Sequence, residues 1–303
     1  MVLDTKEKFG KYTYYFLICL IFALGIFLRI KLFIDSSAFE DDECRLAFTM
    51  LDKNIWQMFL PLGYAQSAPP IFLFFSKIIA NISGYAEKAL WLIPLSAGIA
   101  SIFYFFKLLA AYFKNRLVIL IGLYSFVVNT QLVAFSCTFK QYSTDVLVTI
   151  MCLYYLNKID ISNLSNKKII TLSIVLIILP LISLPSLFFI GGFLLINLIK
   201  YFRNKPIMRK IIYVVLPFTI TLSVYYIFNL APSKMDLDLS FPNYWKTGLM
   251  GFLPKDIFTC VITNIKYYFS PNSLTFLLSL CMFGEFLFAF LIKVKQKISH
   301  VFW

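Results

Sequence analysis

"YYFLICLIFALGIFL", residues 14–28, carries no charged side chain. A hydrocarbon core of about 30 Å takes roughly 20 apolar residues in a helix, fewer where flanking lysines snorkel. Lys6, Lys8 and Lys11 precede the run, and no small-residue cleavage site follows it. It reads as an uncleaved signal anchor with its N-terminus in the cytoplasm.

The rest of the chain repeats the pattern. The 303 residues are 60% hydrophobic and 18% aromatic, with only 14% charged and a mean hydropathy of +0.80. A soluble domain does not look like this, so the expected fold class is all-α, a polytopic transmembrane bundle forming a single domain over residues 1–303. Further apolar runs occupy 89–106, 117–136, 146–157, 169–184, 185–199, 211–228 and 274–292, which makes about eight spans. Residues 169–199 are too long for one helix. "SLPS" at 183–186 breaks them, because Pro185 disfavours helix at Leu184, and a hairpin of two helices is expected.

The net charge of +13 does not call for a nucleic acid. The basic residues fall in short clusters beside apolar runs, at 6–11, 107–116, 158–168, 200–210 and 293–297, as cytoplasmic loops do. "PPIFLFFSKIIANIS" (69–83) is apolar but short, opens on two prolines and holds Lys77 at its centre. Counting it as a span would move the later basic clusters outside, so it reads as an interfacial helix. Residues 35–88 then form one exterior loop, followed by exterior pieces at 136–145 and 229–271.

The first of these pieces contains "FEDDECRLAF" (39–48). A helix from about Asp42 to Leu51 would carry Asp42, Arg45, Thr49 and Asp52 on a polar stripe, with Leu46, Phe48, Met50 and Leu51 opposite. Carboxylates in a first helical turn face the positive end of the helix dipole and stay ionised, fit to act as a base, to bind a cation, or to form a solvated rim. The second piece sets Lys140 and Tyr142 before a helix starting near Ser143, with Asp145 in its first turn. This arrangement serves either as a helix cap or as an anion subsite. Aromatics and lysines fill the third piece, as interfacial anchors or as a platform for a sugar.

No CxxC spacing occurs among Cys19, Cys44, Cys137, Cys152, Cys260 and Cys281. A Cys44–Cys137 disulfide is one pairing this topology allows. His300 is the only histidine, so chemistry elsewhere must use carboxylates, lysines and tyrosines.

The order of features resembles the GT-C glycosyltransferases that use polyprenyl-phosphate sugars, in particular bacterial relatives of protein O-mannosyltransferases and of the lipid A aminoarabinose transferase, which are family 39-like. The likeness runs over residues 10–230. It rests on the signal anchor, "DDECRLAFTML" (41–51), Trp56, the prolyl segment with Pro69 and Pro70, Gly84, and "FKQYSTDVLVTIMCLYYL" (139–156). It implies transfer of a sugar from a polyprenyl-phosphate carrier to an acceptor hydroxyl on the exoplasmic face of a bacterial inner membrane, with inversion.

By the same resemblance Asp42 matches the catalytic acid, Glu43 stands beside it, and Asp145 matches a second acid. Lys140, Arg45 and Lys88 are candidate cations for the leaving phosphate, and Tyr142 and Gln66 are further substrate contacts. "QSAPP" (66–70) departs from relatives that pair an acid or a lysine with the proline there. No cofactor is required beyond the lipid-linked donor, and any metal held by carboxylates would be a hard ion such as Mg or Mn. The expected partners are the donor lipid and membrane lipids.

Relatives usually continue into further helices or an exterior domain, so the sequence reads as a truncated or minimal member. A transporter or flippase, or an inactive fragment, is the alternative. Against transport, the spans are nearly free of charge apart from Glu285, and no internal repeat is visible.

Overall fold

The long apolar runs become helices whose lengths separate them into two groups. A computed structural model describes residues 2–64 and 66–233, and every regular element among them is helical. The expected span at 274–292, Glu285 and the exterior piece from residue 234 onward lie outside the described residues. Among the described residues three helices are long and apolar enough to cross a membrane: Tyr12–Asp35 within α1 (Val2–Asp35), Glu87–Tyr112, and Lys205–Ser233. The first, at 24 residues, is about 36 Å long.

The middle segment consists of α4 (Glu87–Leu90), a bend at Trp91, and α5 (Leu92–Tyr112). The last is α11 (Lys205–Tyr225), continued by a π-helical turn at Tyr226–Leu230. Residues 229–233 are therefore helical and do not open a loop.

The remaining helices are shorter. α2 (Asp41–Asp52) starts at the expected acids, capped by Glu40 and Glu43 in a reciprocal capping box. α3 (Pro70–Ser83) has 14 residues, about 21 Å, which is too short to span. It ends at Gly84, whose φ of 62° suits a residue without Cβ. α9 (Asn166–Ile182) and α10 (Ser186–Tyr201) form the hairpin broken at residues 183–185.

Four expected spans, at 117–136, 146–157, 169–184 and 185–199, fall on helices of 17 residues or fewer, which do not reach the length of the three above. Residues 117–136 are not a single helix: α6 (Arg116–Val128) stops at Asn129, whose side chain accepts from Leu132 N at 3.1 Å and starts the separate α7 (Thr130–Phe135). An asparagine side chain competing for backbone N–H groups favours a cap over a helix interior. α8 (Tyr142–Leu156) follows.

Packing divides into three clusters. α1 lies against α5 and α6 through Ile18, Ile102, Leu123 and Val127, with Gly25 at the crossing. A Cβ on Gly25 would come within 2.7 Å of Ile102 and 2.9 Å of Val127, so the close approach needs glycine. α8 to α11 share a second core built on Val148, Leu176, Ile190 and Val214. The third core, with Leu46, Met50, Phe72, Leu73, Trp91 and Phe139, sits under α2 and α3.

Those side chains correct the expected faces of α2. Leu46 and Met50 are fully buried, whereas Phe48 and Leu51 are exposed and Thr49, expected on the polar stripe, is buried. Each fully buried Leu or Met contributes about 1.5–3 kcal/mol, enough to set which side of a 12-residue helix turns inward.

Candidate functional site

Asp42 lies in the first turn of α2, where its carboxylate meets two residues distant in sequence. Lys140 Nζ is 2.9 Å from Asp42 Oδ2, and Gln66 Nε2 donates to Asp42 Oδ1 at 2.9 Å. Lys140 also donates to Gln66 Oε1, closing a three-membered ring. The lysine side chain is 7% exposed and the aspartate 61%, so a buried cation supports an accessible anion.

Their titration follows from that asymmetry. Partial burial works to raise the Asp42 carboxyl, but the hydrogen bonds from Lys140 and Gln66, with the charges of Lys140 and Arg45, hold it below its ordinary 3.8. For Lys140 burial wins: it lowers the ammonium below 10.5 despite the opposing attraction of Asp42 and Glu43. Arg45 bridges Asp41 at 3.0 Å on the open side, one turn from Asp42.

Gln66 arrives on a constrained turn. Tyr64, at φ 59°, adopts a left-handed backbone uncommon for an aromatic residue, and Gln66 N donates to Gly63 O at 3.2 Å. The Tyr64 hydroxyl donates to Asp52, and its ring lies 5.8 Å from that of Phe48, so the C-terminal half of α2 holds this turn while Asp42 holds Gln66 at the other end.

Glu43 does something else. It is 3% exposed and accepts from Trp91 Nε1 at 2.8 Å, from the Phe139 backbone N–H, and from Glu40 N at 3.0 Å. Adjacent residues on a helix point about 100° apart, so while Asp42 faces the open side this second candidate acid is turned into the core. It positions residues 136–141, on which Lys140 is carried. Cys137 Sγ, on the same segment, donates to Arg29 O at 3.5 Å. Cys44 and Cys137 are both free, so no disulfide joins α2 to this segment.

The other candidates spread out. Tyr142 lies close enough for its phenol to feel both Asp42 and Asp145. Lys88 donates to Ile34 O at 3.0 Å and is exposed, separate from the Asp42 ring. α8 begins at Tyr142 with Gln141 as its N-cap and no side-chain cap bond, so neither Ser143 nor Thr144 caps it. Asp145 faces the Ser183 hydroxyl instead of Lys140 or Asp42.

Two features escaped the sequence reading. Trp91 drew no notice near the start of the apolar run 89–106, yet its indole donates to Glu43. Arg29 is fully buried in α1 and donates through Nη1 to Gly25 O at 3.1 Å and Val127 O at 3.4 Å. An arginine directly after a 15-residue apolar run was the available signal. Among the described residues no three His, Cys, Asp or Glu side chains converge as a metal set.

The chain matches no protein-family model, no curated protein and no solved structure.

Proposed function

We propose that the chain is a membrane glycosyltransferase of the GT-C type, moving a sugar from a polyprenyl-phosphate carrier to an acceptor hydroxyl at the α2 end of the bundle. That end is taken as exoplasmic, with the N-terminus of a multi-pass protein in the cytoplasm of a bacterial cell. The reading rests on the resemblance of the sequence, and one observation supports it best: an accessible, ionised Asp42 held by a buried Lys140 and by Gln66.

In this mechanism Asp42 accepts a hydrogen bond from the acceptor hydroxyl and takes its proton as the oxygen attacks the anomeric carbon. The bond to the phosphate oxygen breaks on the opposite face, inverting the centre. A carboxyl held below 3.8 is a modest base, so its larger contribution is to orient the hydroxyl and to stabilise positive charge growing on the sugar. Lys140 has one N–H beyond those given to Asp42 and Gln66, and with Arg45 it faces the departing lipid phosphate. Glu43 positions the segment carrying Lys140, while Asp145 and Lys88 have no reacting role.

The test uses the purified full chain in lipid nanodiscs with polyprenyl-phosphate sugars as donors. Asp42→Asn is expected to lower transfer by about 100- to 10,000-fold with folding intact. Transfer undiminished in that variant removes the assignment of Asp42, and no transfer by the wild type from any such donor removes the reading as a whole.

A further inference from the structure

A second group of polar atoms lies away from the Asp42 ring, where α8 meets the α9–α10 hairpin. Gln141 Oε1, Thr144 Oγ1 and Asp145 Oδ1 sit on the first turn of α8 or just before it. Ser183 Oγ and Ser186 Oγ sit at the break between α9 and α10. Each of these five atoms is buried and has no hydrogen-bond partner. Ser183 and Ser186 are fully buried and Thr144 is 8% exposed.

Topology gathers them. Residues 141, 144 and 145 share one side of a helical turn, and 183 and 186 are one turn apart, joined by Ser186 N donating to Ser183 O at 3.2 Å. α8 packs on α10, with Val148 and Ile190 in one core a turn below Thr144 and Ser186 respectively. Burial raises the Asp145 carboxyl to about 6, so it is still largely charged at neutral pH, and the Ser183 hydroxyl beside it works only weakly the other way.

Leaving one buried polar atom unsatisfied costs about 1–3 kcal/mol, so five at one helix junction call for something that satisfies them. All five are oxygens, and one belongs to a carboxylate. Water would satisfy the hydroxyls but leave the charge. Asp42 has Lys140, whereas no described cation acts on Asp145. Oxygen ligands with a single negative charge match a hard monovalent cation. A divalent ion would call for more carboxylates than the one present.

We propose that the first turn of α8 and the α9–α10 break form a binding site for a sodium-sized monovalent cation, with Asp145 as its charged ligand and the Gln141 amide oxygen and the Thr144, Ser183 and Ser186 hydroxyls completing the shell. The ion ties α8 to α10 at the level where the two helices begin. It is independent of the transferase reading.

The experiment measures thermal unfolding of the purified full chain in nanodiscs, exchanging choline chloride for sodium chloride or potassium chloride at constant ionic strength. Binding of radioactive sodium is measured in parallel. The unfolding temperature should rise saturably with sodium, and one sodium should bind per chain. Ser183→Ala and Ser186→Ala should each weaken the apparent affinity about tenfold, and Asp145→Asn should abolish the response. Equal unfolding temperatures in sodium and choline would overturn the site, since the carboxyl is then neutralised by a proton. An equal response to potassium, or a sodium response retained in both Asp145→Asn and Ser183→Ala, would do the same. Should Asp145→Asn fail to fold, the wild-type binding stoichiometry and the serine variants decide.

Discussion

Asp42 and Asp145 occupy the same local position, the first turn of a helix, and feel the same helix dipole. Their surroundings differ in every other respect. Asp42 opens to solvent and leans on a lysine delivered from 98 residues away, while Asp145 is enclosed between helices with hydroxyls and, among the described residues, no cation. The difference teaches that an acid's place on its own helix sets its ionisation only weakly. What it can do is decided by the partner that tertiary packing brings, or fails to bring.

The sharpest way to break that contrast is to take the partner from Asp42. Lys140→Met is expected to cost about 100- to 1,000-fold in sugar transfer, because the positive charge facing the leaving phosphate disappears. Unfolding should shift little, since the aspartate left behind is solvated and no charge is stranded in the core. A large fall in unfolding temperature with activity retained would show that the ion pair is structural.

Next in size is the neighbouring acid. Glu43→Ala leaves the Trp91 indole and the Phe139 N–H without acceptors in a buried place, at about 2–4 kcal/mol in chemical denaturation. Glu43→Gln keeps an acceptor and should recover much of that loss.

The smallest effect concerns acid. Because the folded Asp42 carboxyl titrates below 3.8, its contribution to stability is present above that pH and is lost as pH falls through the folded value. The stability difference between wild type and Asp42→Asn should therefore stay constant from roughly pH 5 to 8 and shrink only in stronger acid. A difference that fades near pH 6 would mean that Lys140 does not hold the carboxylate.

Much of the architecture was legible. Pro185 announced the α9–α10 break, the length of 69–83 marked α3 as too short to cross, and the acids at 40–43 announced the start of α2. Asn129 hid its break, since one amide in a long apolar run changes hydropathy little while its cap bond is a matter of local geometry. For the site, Asp42, Gln66 and Lys140 each drew notice alone. Their meeting across 24 and 74 residues has no periodic signature in the chain. Neither the inward turn of Glu43 nor the bare hydroxyls of Ser183 and Ser186 could be read, because burial on a given face is a property of the packed bundle.

The segment between α7 and α8 carries a consequence for biogenesis. Cys137 reaches Arg29, the Phe139 N–H reaches Glu43, and Lys140 reaches Asp42, so three successive clasps lie within four residues. The acids of α2 leave the ribosome almost a hundred residues before their clasps do. Until residues 136–141 emerge and dock, Glu43 has no Phe139 amide and Asp42 no Lys140. The arrival of this short segment thus times the maturation of the site, and a nascent chain stopped before residue 136 would present Asp42 with Gln66 but no Lys140, and Glu43 with Trp91 but no Phe139 amide.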